Sequence, residues 1–133
     1  MYKYFISAIF FSLHLTGSAS AQFIARQHTV KDLNSGTNWL RCSVGQAWDP
    51  KLDTCTGKIV KLDHSQIAYA ITEAKRQLGG NWRLPTHAEL ESLVCVACPP
   101  PKINSKYFPN ISPEAYWTSD KNALNPKTYW SIN

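Results

Sequence analysis

Four cysteines constrain this chain more than any other feature, because they fall into two local pairs and the rest must fold around them. Cys42 and Cys55 flank a short segment punctuated by Gly45 and Asp49-Pro50, and Cys95-Val96-Ala97-Cys98 is close enough to bridge on itself. Four cysteines allow three pairings; the local spacing favours Cys42–Cys55 and Cys95–Cys98, leaving no free thiol. Such bridges need an oxidising compartment, and the N-terminus supplies the route. Met1 to Ala21 reads as a secretory signal peptide, with Lys3 as a minimal positive region, an apolar Phe5 to Leu15, and the small pair Ala19-x-Ala21 for cleavage. Cleavage there leaves Gln22 first, in a mature chain with 13 basic and 9 acidic residues.

A chain of that length holds one domain, residues 22–133, whose small core benefits from crosslinks. At 44% hydrophobic and 17% charged, the sequence is too apolar and too weakly charged for disorder. No apolar run reaches the eighteen or so residues of a membrane-spanning helix. Alternation predicts a strand over Asn38 to Val44, and weaker patterns suggest strands at Val30 to Leu33 and Lys58 to Leu62. Asn34-Ser35-Gly36 reads as a turn. Asp63 or Ser65 caps a helix running to Leu78, because Ile67, Ile71, Ala74 and Leu78 form one apolar stripe and Gly79-Gly80 stops it. Thr86 and Glu89 form a capping box for a second helix with Leu90, Leu93 and Val94 facing inward. Pro99-Pro100-Pro101 ends any helix, and the strand-like pieces Ala115 to Ser119 and Thr128 to Ile132 follow. The expected class is α+β, with two helices and short antiparallel strands.

The segment Asn81-Trp82-Arg83-Leu84-Pro85-Thr86-His87-Ala88-Glu89-Leu90-Glu91-Ser92-Leu93-Val94 resembles the signature of the Lcl C-terminal domain family, a bacterial domain of largely unknown function. Upstream, Trp39-Leu40-Arg41-Cys42 to Trp48 with Thr54-Cys55-Thr56-Gly57 looks like the family's cysteine-bearing segment. Downstream, Phe108-Pro109-Asn110 and Tyr116-Trp117-Thr118-Ser119 are similar to two further elements. The resemblance spans roughly Leu33 to Asn133. It implies a C-type-lectin-like fold distantly related to formylglycine-generating enzymes, but no activity, since function lives in sites rather than folds. The residues Trp39, Trp82, Arg83, Leu84, Pro85, Thr86, Glu89 and Leu90 read as structural. Pro85 fixes the entry angle, Trp82 and Leu84 alternate toward a core, and Arg83 faces a carboxylate such as Glu89 or Glu91.

Most site chemistry is missing from the sequence. Thiol oxidoreductases place C-x-x-C at a helix N-terminus, where the dipole supports a thiolate. Here Cys95 and Cys98 follow a helix, which favours a structural disulfide, and the Cys42 to Cys55 spacer argues against zinc. His28, His64 and His87 have no paired-ligand spacing. Phe108-Pro109-Asn110 lacks the acidic or amide residue that calcium lectins place before the proline, and no Trp-Asn-Asp follows. The thiols that formylglycine generators carry late in their chains are absent after Cys98. No catalytic residue, cofactor or metal ligand is therefore assigned.

The expectation is an exported recognition or adhesion module of the envelope, periplasmic or secreted. Trp48, Trp117 and Trp130 are its candidate ligand-stacking rings. Anionic glycans, lipopolysaccharide or an envelope protein are candidate partners for a net positive chain. Lys58 and Lys61, like Lys121 and Lys127, are too scattered for a dense basic run, and nucleic acid is not expected. A purely structural role in an envelope assembly is the alternative, and a formylglycine-generating-like enzyme ranks last. Because Tyr129-Trp130-Ser131-Ile132 reads as the start of a core strand, the chain is also expected to be a truncated product. Intact-mass measurement of exported protein is expected to show a chain beginning at Gln22; a mass that retains residues 1–21 overturns the leader assignment.

Overall fold

The computed structural model describes residues 22–121 and the backbone of 129–132. The expected leader, Lys127, the side chain of Trp130 and residue Asn133 lie outside the described residues.

The first unit is a three-stranded antiparallel meander of β1 (Phe23–Arg26), β2 (Thr29–Asp32) and β3 (Asn38–Leu40), in that spatial order. In β2 the period of two puts Val30 and Asp32 on the buried face. Val30 enters the core, while the Asp32 carboxylate accepts from the Asn34 N–H at 2.9 Å and the Ser35 hydroxyl at 2.8 Å. These bonds build the Asn34-Ser35-Gly36 turn, as the side chains at such positions commonly do, and offset the burial of a charge. β1 carries one buried residue in four, Phe23, too little pattern to mark a strand in the sequence.

The second unit is a hairpin of β4 (Gln46–Asp49) and β5 (Thr54–Gly57), with Trp48 opposite Cys55. Two predictions are corrected here. The strand expected to reach Val44 stops at Leu40, because Arg41 turns inward and Cys42 joins the Cys42–Cys55 disulfide. Lys58 to Leu62 is not a strand. Gly57, at φ +100°, ends the ladder before it, and the Val60 N–H to Val44 carbonyl bond at 2.8 Å ties the segment's backbone to the loop before β4. That approach explains Gly45: a Cβ there falls 2.3 Å from the Lys58 carbonyl oxygen, and its φ is +91°.

Asp63 caps the first helix through a reciprocal box with Gln66; one 3-10 turn, His64–Gln66, leads into α1 (Ile67–Leu78). Ile67 is buried, Ile71 and Ala74 are half-buried, and Leu78 is exposed where the stripe runs out at Gly79. α2 (His87–Glu91) is a short helix capped as expected by Thr86 and Glu89. β6 (Tyr116–Lys121) and β7 (Tyr129–Ile132) form the last antiparallel pair, with an irregularity between Trp117 and Lys121. The observed class is α+β, as expected. No helix among the described residues is long and apolar enough to cross a membrane.

The core joins these pieces: Phe23, Val30, Leu93 and Phe108 are buried together, and Trp39, Leu90, Ile103, Tyr107 and Ile111 pack against them. Phe108 meets Phe23 edge-on at 5.9 Å between ring centres. Both local disulfides form, as the spacing predicts, and no described cysteine is free. Their worth differs with loop length: chain-entropy arithmetic gives about 3 kcal/mol for Cys42–Cys55 and about 2 kcal/mol for Cys95–Cys98.

The residue the sequence reading passed over is Arg41, which is 5% exposed. Its Nε donates to the Tyr107 carbonyl at 2.8 Å, Nη1 to Gln27 at 2.9 Å and Nη2 to Lys106 at 2.9 Å. The guanidinium also stacks 4.0 Å from the ring centre of Trp48. Burial pulls its pKa down and Asp53, 3.9 Å away, opposes that; an arginine stays charged regardless. Arg41→Ala is expected to cost about 3 kcal/mol or more, since carbonyls left without donors keep their desolvation cost. Arg41→Lys is expected to recover little, because one ammonium cannot span three carbonyls in a plane. Urea denaturation of the oxidised protein checks both.

Candidate functional site

The family-like segment runs extended from Asn81 to Pro85 and then turns into α2. Pro85 forces the extended approach, and its carbonyl accepts from the Ser119 N–H on β6 at 2.8 Å. The His87 N–H at the first turn donates to the Asp120 carboxylate of β6. The short helix is thereby fastened to the last sheet. Arg83 leaves the other face, as strand alternation predicts, and forks onto Glu89 with bonds of 2.8 and 2.7 Å. Glu89 also accepts from the Thr86 N–H at 2.7 Å, and the Thr86 hydroxyl accepts from the Glu89 N–H at 3.1 Å. Leu90 packs on the core, and Trp82 and Leu84 are half-buried. The indole N–H groups of Trp39 and Trp82 are buried without an acceptor among the described residues.

Of the three candidate stacking rings, the two described ones, Trp48 and Trp117, are half-buried and engaged. One face of Trp48 is covered by Arg41. Trp117 donates its indole N–H to the Leu62 carbonyl at 2.9 Å and meets the His64 ring edge-on at 5.8 Å. Of the other histidines, His87 sits 3.9 Å from Glu91 on one helix face. The two tryptophans thus hold loops in place with much of their surface.

A more open feature lies beside α2. Leu90, Leu93, Ile103, Ile111 and Pro113 line a shallow apolar groove of about 230 Å³ walled by Tyr116. The Tyr116 hydroxyl accepts from the Ser112 N–H at 3.0 Å and lies 3.2 Å from the Ser43 hydroxyl, so this wall is held rigidly. Lys102 and Glu114 stand at its rim, and Glu114 is paired with Lys61 at 2.7 Å. At the rim itself the two charges cancel, and Lys61, which holds Glu114 from outside the lining, brings the sum of the three to one positive. A second cavity, about 320 Å³, lies between Phe23, Ser92, Leu93, Cys95, Asn104 and Tyr107 and holds no charged side chain. Sequence reasoning did not find the groove, because its lining comes from α2 and from loop residues with no periodicity.

The motif's own electrostatics are those of a fastening. The Arg83 fork, with the Thr86 N–H, lowers the Glu89 carboxyl from 4.5 to about 2. A carboxyl whose folded pKa is depressed stabilises fully above its unfolded value and loses that contribution as pH falls through the folded one. The window is therefore from about 4.5 down to about 2. Because Arg83 faces solvent, screening limits the pair to about 1 kcal/mol. Glu89→Gln is expected to lower stability by about that amount at neutral pH and to flatten the acid dependence across this window. Denaturant midpoints measured at neutral and at acid pH check it.

No curated protein and no solved structure matches the chain. The family comparison does find it, over a span that takes in the meander from its first turn, both disulfides, the capped helix and the last sheet. Residues 28–133 match the Lcl C-terminal domain, and the chain belongs to the Lcl C-terminal domain family.

Proposed function

We propose that the domain is an exported, non-catalytic recognition module of the bacterial envelope that holds one residue of an anionic polymer, such as an acidic or sulfated glycan, in the groove beside α2. The observation that carries this is the groove's combination of an apolar floor, a fixed tyrosine wall and a rim lysine, Lys102, whose neighbouring carboxylate Glu114 is paired with Lys61. Its volume falls below the roughly 300–1,000 Å³ of pockets that enclose a whole small molecule, which suits a unit of a chain rather than a complete substrate. Tyr116 replaces Trp48 as the first aromatic contact, because Arg41 already covers a face of Trp48. Trp117 lies on the opposite side of β6 from Tyr116 by strand alternation and serves a polymer only if it wraps around that edge. The single carboxylate at the rim is spent on Lys61, far from the six to eight oxygens that calcium takes, so binding is expected to be calcium-independent.

Calorimetric titration of the oxidised protein with a sulfated glycan is expected to show binding at low salt that weakens at physiological ionic strength and ignores a chelator. Removing the rim charge with Lys102→Gln is expected to weaken it about two- to fivefold, the range for one solvent-facing charge. Binding abolished by chelator overturns the calcium claim. No binding to any anionic glycan at low salt overturns the recognition reading and favours a structural place in an envelope assembly.

A further inference from the structure

The Cys95–Cys98 bridge closes a loop that the backbone already holds shut. Val94 and Ile103 pair as an isolated antiparallel bridge. Above it the Cys95 N–H donates to the Lys102 carbonyl at 2.8 Å, and the Cys98 N–H donates to the Cys95 carbonyl at 3.1 Å. The Lys102 ammonium reaches back over the same loop to the carbonyls of Cys98 at 3.0 Å and Val96 at 3.4 Å. As a staple the disulfide adds less than Cys42–Cys55 does, because its loop is short and already bonded. Cys42–Cys55 is the opposite case: it ties Arg41's neighbour to a strand across thirteen residues of sequence, and Cys55 is 1% exposed.

Three features suit Cys95–Cys98 to chemistry instead. Both cysteines are partly exposed, not buried. The loop between and after them presents Val96, Ala97, Pro99 and Pro100 to solvent, Val96 at 84% exposure, an apolar tip against which another protein's thiol site can pack. And the ammonium of Lys102 lies on the loop itself. Its contact is the main-chain carbonyl of Cys98, which puts a cation in the surroundings of that cysteine; a nearby cation favours the thiolate and so makes it a better leaving group in exchange. The helix dipole that disfavours a thiolate belongs to α2, which ends at Glu91, short of Cys95, while the Lys102 ammonium is bonded to the carbonyl of Cys98 itself.

We propose that Cys95–Cys98 is a thiol–disulfide exchange site whose partner is an exported dithiol carrier, while Cys42–Cys55 is the permanent crosslink. One thiolate of the carrier attacks a sulfur of the bridge, the S–S bond breaks, and the departing cysteine sulfur takes a proton. The carrier's second thiolate then attacks its own sulfur in the mixed disulfide and releases the other cysteine. The carrier ends as a disulfide, oxidised by two electrons; Cys95 and Cys98 end as two thiols, carrying the two protons the carrier lost.

Differential alkylation with peptide mapping tests this on the full, folded, oxidised protein, titrated with dithiothreitol as the probe. Cys95 and Cys98 are expected to label at a reductant concentration at least roughly tenfold below that which opens Cys42–Cys55, with the near-ultraviolet circular dichroism of the folded protein unchanged. Lys102→Gln is expected to slow opening of Cys95–Cys98 several-fold at neutral pH without altering Cys42–Cys55. A Cys95→Ser, Cys98→Ser double variant is expected to fold and to melt no more than about 10–15 °C below the parent. Simultaneous reduction of both bridges, loss of folded dichroism when Cys95–Cys98 opens, or failure of the double variant to fold each overturns the proposal. An unchanged rate in Lys102→Gln overturns the role given to the lysine.

Discussion

The buried guanidinium of Arg41 is the interaction on which the rest of the structure depends. Removing a charge from water is costly unless every donor finds an acceptor, and here the fork is shared among the first turn of the meander and the loop that delivers Phe108 to the core. The same residue closes a ring of different bonds. Arg41 is covalently next to Cys42; Cys42 is crosslinked to Cys55; Cys55 lies opposite Trp48; and Trp48 stacks back on Arg41. Three small sheets that share no ladder are held as one body by such side-chain bonds. Asn110 adds to them, donating to the Cys55 carbonyl at 2.7 Å while its own carbonyl accepts from Gln46 at 3.3 Å.

What could be read from the sequence follows from how far apart the interacting residues are. Capping boxes act over three residues, so the start at Thr86 was legible outright, and the first start was narrowed to Asp63 or Ser65, of which Asp63 is the cap. The two disulfides were legible because each pair is local, and the Asn34-Ser35-Gly36 turn because its bonds are. Arg41 was not, since its partners on the Lys106 to Tyr107 loop lie 65 and 66 residues away and offer only carbonyls. One signal was present: counting by twos from the core residue Trp39 places Arg41 on the same buried face. Lys58 to Leu62 misled for the converse reason, since an apolar run reads as a strand wherever no partner is in view. The partner of β4 turned out to be the segment before it.

In the candidate site the residues that make the family signature recognisable are those that bind to one another. Arg83, Thr86 and Glu89 satisfy each other and fasten α2, while Pro85 and His87 fasten it to β6. A signature of this kind reports a joint in the fold and leaves ligand choice to its surroundings. Those surroundings, Lys102 and the Ile111 to Tyr116 segment, show no period and carry no motif, which is why the groove became visible only in three dimensions.

The acceptors of Arg41 have a bearing on how related chains are free to vary. Gln27, Lys106 and Tyr107 contribute only main-chain oxygens to the guanidinium, and every amino acid has one. Gln27 must still accept a left-handed backbone at φ +51°, but no side chain at these positions is dictated by the arginine. Drift can therefore run through the loops at the far end of the interaction while the arginine itself stands still. A pairwise search for co-varying positions will find none of these three acceptors; only its side-chain neighbours Trp48 and Asp53 can answer to it.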